Sequence, residues 1–218
     1  MKIKKFISVL LTGAFLLTSA SISSAAPANT DKIPLTPQDE QRIIQNMKES
    51  GVDDATQKKL IGKLKNGEKW DSMKPELLEQ AKKEVNITPT SRETKYTFPD
   101  GSAIIQSISG GTVSCGTGYC VYTNMKVSEQ RWYVGGSFKA DFTILNGSND
   151  YISKVYDASI WSFGTVSSDT LTLDKSQEDL SGPAQATLRW VGYNGVTSAT
   201  FILRLKVGGN NYWDEANY

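Results

Sequence analysis

Between Phe138 and Ile144 every second residue is apolar: Phe138, Ala140, Phe142 and Ile144 alternate with Lys139, Asp141 and Thr143. Successive side chains of a strand point to opposite faces, so this period requires a sheet with one buried and one wetted face and is incompatible with a helical stripe. Similar alternations run through Val121 to Val127, Ala184 to Trp190 and Phe201 to Val207, and Leu171 with Leu173 adds a shorter one. Tyr96-Thr97-Phe98 and Ala103 to Ile108 flank Pro99-Asp100-Gly101, which supplies a type I turn followed by a glycine and so predicts a hairpin. Ahead of Phe138, the pair Gly135-Gly136 separates the strand from Trp132 and Val134; glycines there suit a bend, a bulge or a close backbone approach. Seven or eight short antiparallel strands joined by glycine, serine and asparagine describe a mainly β chain folded as a sandwich or an open barrel.

The first 85 residues read differently. Lys2, Lys4 and Lys5, an apolar run from Phe6 to Leu17 and the small residues Ala25-Ala26-Pro27-Ala28 have the three parts of a secretory signal, assigned to residues 1–28. Cleavage after Ala25 or Ala28 fits the small-residue rule. Removal takes three lysines and no acids from a chain of net charge +1, leaving −2 and no basic footprint for nucleic acid. No later stretch has the length of a transmembrane anchor. The expectation is a secreted, extracellular protein whose only two cysteines, Cys115 and Cys120, form one local disulfide.

A helical module is expected over residues 29–85. Thr36-Pro37-Gln38-Asp39 gives an N-cap, a proline at the first helical position and an acid in the first turn; Ile43, Ile44 and Met47 supply the apolar stripe and Gly51 the stop. Asp53 or Asp54 caps a second helix with Leu60, Ile61 and Leu64 on its buried side, ended at Gly67, and Trp70 and Met73 close the hairpin. A third helix is expected from Pro75 to Val85. Residues 86–94, with Ile87-Thr88-Pro89-Thr90-Ser91, read as a linker to a β domain over residues 95–218.

The stretch Ala55 to Ser72, ATQKKLIGKLKNGEKWDS, and Tyr96 to Ser102, YTFPDGS, resemble a family of uncharacterised secreted proteins of Gram-positive bacteria. The similarity continues through Trp132 to Asp141, Pro183 to Trp190 and Thr200 to Val207. The resemblance implies export, a helical N-terminal module and a β-rich C-terminal domain, and it transfers no catalytic residue.

The chain has no histidine. Ser-His-Asp and Cys-His catalysis, HExxH sites and the common zinc sites are therefore excluded in their usual forms. Two cysteines five positions apart make neither a CxxC redox motif nor a four-ligand zinc site. Catalysis by paired carboxylates needs only two acids across a cleft, and Asp141, Asp157, Asp174, Glu178, Asp214 and Glu215 are available, although their strand and loop positions read as solvated surface. Oxygen-rich loops at Asn146 to Asp150 and Asp214 to Asn217 lack calcium-loop spacing and read as turns. No cofactor is expected. Trp190 continues an apolar strand face and belongs to the core; Trp132, Tyr133, Trp161, Tyr193, Tyr212 and Trp213 are the candidate binding aromatics, since exposed rings of this kind stack on sugars or anchor protein partners. The leading expectation is a secreted, non-catalytic binding protein for an extracellular glycan, cell-envelope polymer or protein. A membrane-active effector and a histidine-free enzyme using paired carboxylates are the alternatives.

Overall fold

The computed structural model describes residues 35–164, 166, 168–193 and 198–217; the signal segment assigned to residues 1–28 lies outside them. Two helices, α1 (Pro37–Glu49) and α2 (Asp54–Lys65), open the described chain. Both begin as their sequences dictate. The Thr36 side chain accepts from the Asp39 N–H with Pro37 at the first helical position, and the Asp53 carboxylate accepts from the Thr56 N–H. Gly51, at φ +72°, ends the first helix in the left-handed conformation that costs glycine nothing. Ile43 and Met47 face Leu60, Ile61 and Leu64 in the core, and Trp70 seals the pair, its indole N–H donating to the Leu60 carbonyl at 2.7 Å.

The expected third helix is not formed. Pro75–Gln80 makes short 3₁₀ turns, and the chain then becomes a strand, β1 (Lys82–Thr88). Val85, Ile87 and Thr88 are β-branched, and each residue of β1 finds a cross-strand partner in β2 (Ser91–Thr97), so pairing overrides the local helical period. The residues read as a linker, 86–94, are therefore the tip of the hairpin formed by β1 and β2.

Nine further strands follow: β3 (Ala103–Ser109), β4 (Thr112–Gly116), β5 (Tyr119–Gln130), β6 (Val134–Leu145), β7 (Tyr151–Ser162), β8 (Ser168–Lys175), β9 (Ala184–Tyr193), β10 (Ser198–Gly208) and β11 (Asn211–Ala216). They form two antiparallel sheets, a seven-stranded one in the order β1-β2-β3-β5-β6-β7 with β4 on the outer half of β5, and a four-stranded one in the order β11-β10-β9-β8. The sheets face each other without closing into a barrel. Val127, Phe138 and Phe142 from the large sheet meet Leu188, Trp190, Leu203 and Leu205 from the small one, all fully buried.

Gly135 and Gly136 do not interrupt the strand. They lie inside β6, paired with Gln130 and Glu129, and what they admit is tryptophan on either face. A Cβ on Gly136 would stand 2.8 Å from the Trp190 ring in the core, and one on Gly135 would stand 2.6 Å from Trp161 Nε1 on the outer side.

Candidate functional site: a serine ladder ending at Trp161

The aromatic residues singled out by the sequence divide sharply. Trp132 and Tyr133 are 1% exposed, Tyr193 3% and Tyr212 8%, so these four form no exposed row. Each has a packing reason. Trp132 occupies the tight turn between β5 and β6 at φ +62°; its indole N–H donates to Ser50 Oγ at 2.9 Å, its carbonyl accepts from Asn46 Nδ2, and its ring meets Trp70 edge-on. Tyr133 also meets Trp70 edge-on, with ring centroids 5.3 Å apart. Together they dock the helices on the sheet. Tyr193 packs on Phe163, and Tyr212 on Tyr122 and Phe142. Trp161 and Trp213 keep part of their rings accessible.

Trp161 lies at the end of a surface that the sequence does not announce. On the outer face of the large sheet, Ser107 on β3 is paired with Ser128 on β5, Ser128 with Ser137 on β6, and Ser137 with Ser159 on β7. Four serines from four strands thus stand in one row across the sheet, about 4.8 Å apart from strand to strand. The Ser107 and Ser128 hydroxyls lie 2.9 Å apart, while those of Ser137 and Ser159 have no hydrogen-bond partner among the described residues. The next row reads Ile105, Gln130, Gly135 and Trp161. Because Gly135 has no side chain, the Trp161 ring settles against β6, and the Arg42 guanidinium of α1 covers it 4.7 Å from the ring centroid. Asn46 and Glu49 of α1, with Lys126, Ser128, Gln130, Ser137, Ser159 and Trp161, wall a cavity of about 260 Å³ where the ladder meets the helix. A row of hydroxyls, an amide and the part of one braced indole left exposed between β6 and Arg42 provides hydrogen-bonding groups and apolar surface of the kind a sugar engages.

The sequence-named acids are held by local bonds. Asp141 accepts from the Asn124 N–H and Tyr156 OH, Asp157 pairs with Lys139, Asp174 accepts from Thr187 and Gln185, and Glu178 accepts from the N–H groups of Asp150 and Gly209. Glu215 holds Lys206 and the Trp213 indole. In the oxygen-rich loop from Asn146 to Asp150, the Asp150 carboxylate is taken by the Leu145 and Asn210 N–H groups. No group of three or more His, Cys, Asp or Glu suited to a metal ion occurs among the described residues. Asp214 differs: it faces the small sheet's core side, and burial pushes its carboxyl up to about 6. Sequence reasoning passed over the buried Glu129 and Arg131, which form an ion pair between the sheets. Burial pushes Glu129 up, and the adjacent guanidinium pulls it back. Cys115 and Cys120 are joined, directly opposite each other in the hairpin of β4 and β5.

Among the described residues no helix is long and apolar enough to cross a membrane. No family model matches the chain, and comparisons with curated proteins and with solved structures return no match.

Proposed function

We propose that the protein is exported and acts outside the cell as a non-catalytic binding protein for an extended glycan of a cell envelope, laid across the serine ladder with one sugar against Trp161. The single observation that carries this reading is the row Ser107, Ser128, Ser137 and Ser159, with two unengaged hydroxyls, leading to an accessible indole fixed by Gly135 and Arg42. Strand spacing sets the serine backbone positions at a regular interval, which matches a polymer of repeating sugars better than a small molecule. A sheet presents this row without the backbone ordering cost that loops would add, because the backbone positions are already fixed by pairing. The reading of residues 1–28 as a signal and the Cys115–Cys120 disulfide agree with an extracellular setting. Engagement of five of the six named acids in local bonds, Asp214 being the exception, favours binding over carboxylate catalysis.

Retention on washed peptidoglycan, chitin and cellulose tests the reading, with Trp161→Ala and the double change Ser137→Ala, Ser159→Ala compared with the unaltered protein. Loss of the indole is expected to weaken retention by about tenfold, without a change in melting temperature of the size a core tryptophan would give. Failure of the unaltered protein to bind any of these polymers, or equal binding by the Trp161→Ala variant, would sink it.

A further inference from the structure

The row beside the serines carries charge. Lys126 on β5 stands directly opposite Lys139 on β6, and like charges placed opposite each other across a sheet are destabilising. Only one of the two is neutralised. Asp157 on β7 reaches Lys139 at 3.0 Å from a backbone held at φ +52°, a conformation seldom adopted by a residue other than glycine. Lys126 is exposed, and its ammonium makes no ion pair or hydrogen bond among the described residues. It also belongs to the wall of the cavity that holds Ser128, Ser137 and Trp161. Two residues along each strand separate the lysines from the serine row, a distance of about 7 Å. A substituent on a sugar crossing the ladder spans such a gap. Of the two acids in the cavity wall, Glu129 turns its carboxylate inward to Arg131, and Glu49 lies on α1, where Gln45 donates to it. The lysine side of the ladder therefore offers an anion an unpaired ammonium and a second one only partly neutralised.

We infer that the glycan taken by the ladder is a carboxylate-bearing one, its acid groups held by Lys126 with support from Lys139. This rests on the glycan reading of the ladder. It accounts for a like-charge pair kept where an uncharged residue would stabilise the sheet, and for an acid that compensates only Lys139. The carboxylate has two carriers in a wall polymer, a uronic acid and a lactyl ether on an amino sugar, and both present the same group to an ammonium.

Two matched pairs of probes separate the charge from the sugar: polygalacturonate against its methyl ester, and peptide-free wall glycan strands before and after amidation of their lactyl carboxylates. Binding of the secreted chain to each is measured by titration calorimetry at low salt. The expected result is at least about fivefold tighter binding of the acid form in one pair or both, the pair identifying the carrier. Lys126→Ala should bring the acid form to within about twofold of the neutral one without lowering the melting temperature, and Lys126→Arg should keep the preference. Equal binding of acid and neutral forms, or a preference that survives in Lys126→Ala, overturns the inference and leaves the glycan reading standing. Absence of binding to both forms of both polymers overturns the glycan reading and the inference with it.

Discussion

Replacing Asp214 by asparagine should make the protein more stable at neutral pH, an unusual direction for the loss of a charge. Asp214 lies opposite Leu205 on the core-facing side of β11, and Leu205 is fully buried. Burial is the largest influence on its carboxyl; its own backbone N–H and Arg92 favour the ionised form, whereas Glu129 and Glu215 oppose it. The outcome is a carboxyl raised from 3.8 to about 6. Between these values the folded protein binds a proton that the unfolded chain has released, so stability falls as pH rises through this window. Below about pH 3.8 both states are protonated and no penalty exists; above about pH 6 the penalty is complete. The difference converts to about 3 kcal/mol, or roughly 6–12 °C in melting temperature for a chain of this size. Asparagine keeps the shape and cannot ionise. Urea unfolding followed by tryptophan fluorescence at a pH near 3.5 and again near 7.5 should therefore give superimposable curves for the two proteins at the lower pH and a higher midpoint for Asp214→Asn at the upper one. The same offset at both values, or a less stable variant near pH 7.5, would refute the reasoning, because either result means that Asp214 is not paying a burial cost as an anion.

Four other outcomes follow from the packing and the charges. Gly136→Ala puts a methyl 2.8 Å from the buried Trp190 ring and should cost about 1–3 kcal/mol in chemical denaturation. Trp132→Ala removes the ring that joins Trp70 and Ser50 and should cost about 3–5 kcal/mol, with faster proteolysis of the helical pair than of the sheets. Reduction of the Cys115–Cys120 bond, which closes a short loop in an exposed hairpin, should lower stability by about 2 kcal/mol at most, measured as a shift in urea midpoint. Asp100 has the opposite pH signature to Asp214: burial raises its carboxyl, but hydrogen bonds from Lys63, Ser102 and the Asp71 N–H outweigh it and leave the pKa lowered. Its contribution is complete above the unfolded value and is lost as pH falls through the folded one, so Asp100→Asn should flatten the acid limb of a stability profile recorded below pH 5.

The helix caps, the core stripes and the Pro-Asp-Gly turn were legible in the sequence because each depends on neighbours within a few positions: Thr36 with Asp39, Asp53 with Thr56, Phe98 with Gly101. The alternations of Ala184 to Trp190 and Phe201 to Val207 were legible for the same reason, whereas in β5 the register shift between Tyr122 and Met125 puts Tyr122, not Val121, in the core. Val85 to Thr88 were misjudged because their conformation is decided by partners in β2, not by the residues that precede them. The purpose of Gly135 and Gly136 was hidden as well, since Trp161 and Trp190 reach them from β7 and from the opposite sheet. The serine ladder is the extreme case. Positions 107, 128, 137 and 159 have no common spacing, and only the registers of three strand pairs bring them into line. A count of serines carries no trace of it.

The helical pair and the ladder are not independent features. Neither α1 nor α2 is long enough to be stable alone, so the pair needs an apolar surface. It obtains one from the turn between β5 and β6, whose left-handed Trp132 turns its ring into Trp70 and its carbonyl to Asn46. That docking contact fixes α1 along the end of the large sheet. Arg42, four residues before Asn46 and hence on the same side of the helix, then lies over Trp161. Two of the rings expected to bind a ligand, Trp132 and Tyr133, are thus spent on holding the helix, and the helix in turn braces the one tryptophan that faces the cavity. Glycine at 135 completes the arrangement, because any side chain there would push the indole off the sheet and away from Arg42. Binding by the ladder should therefore depend on a buried contact at Trp132 that no ligand touches, through the position of α1.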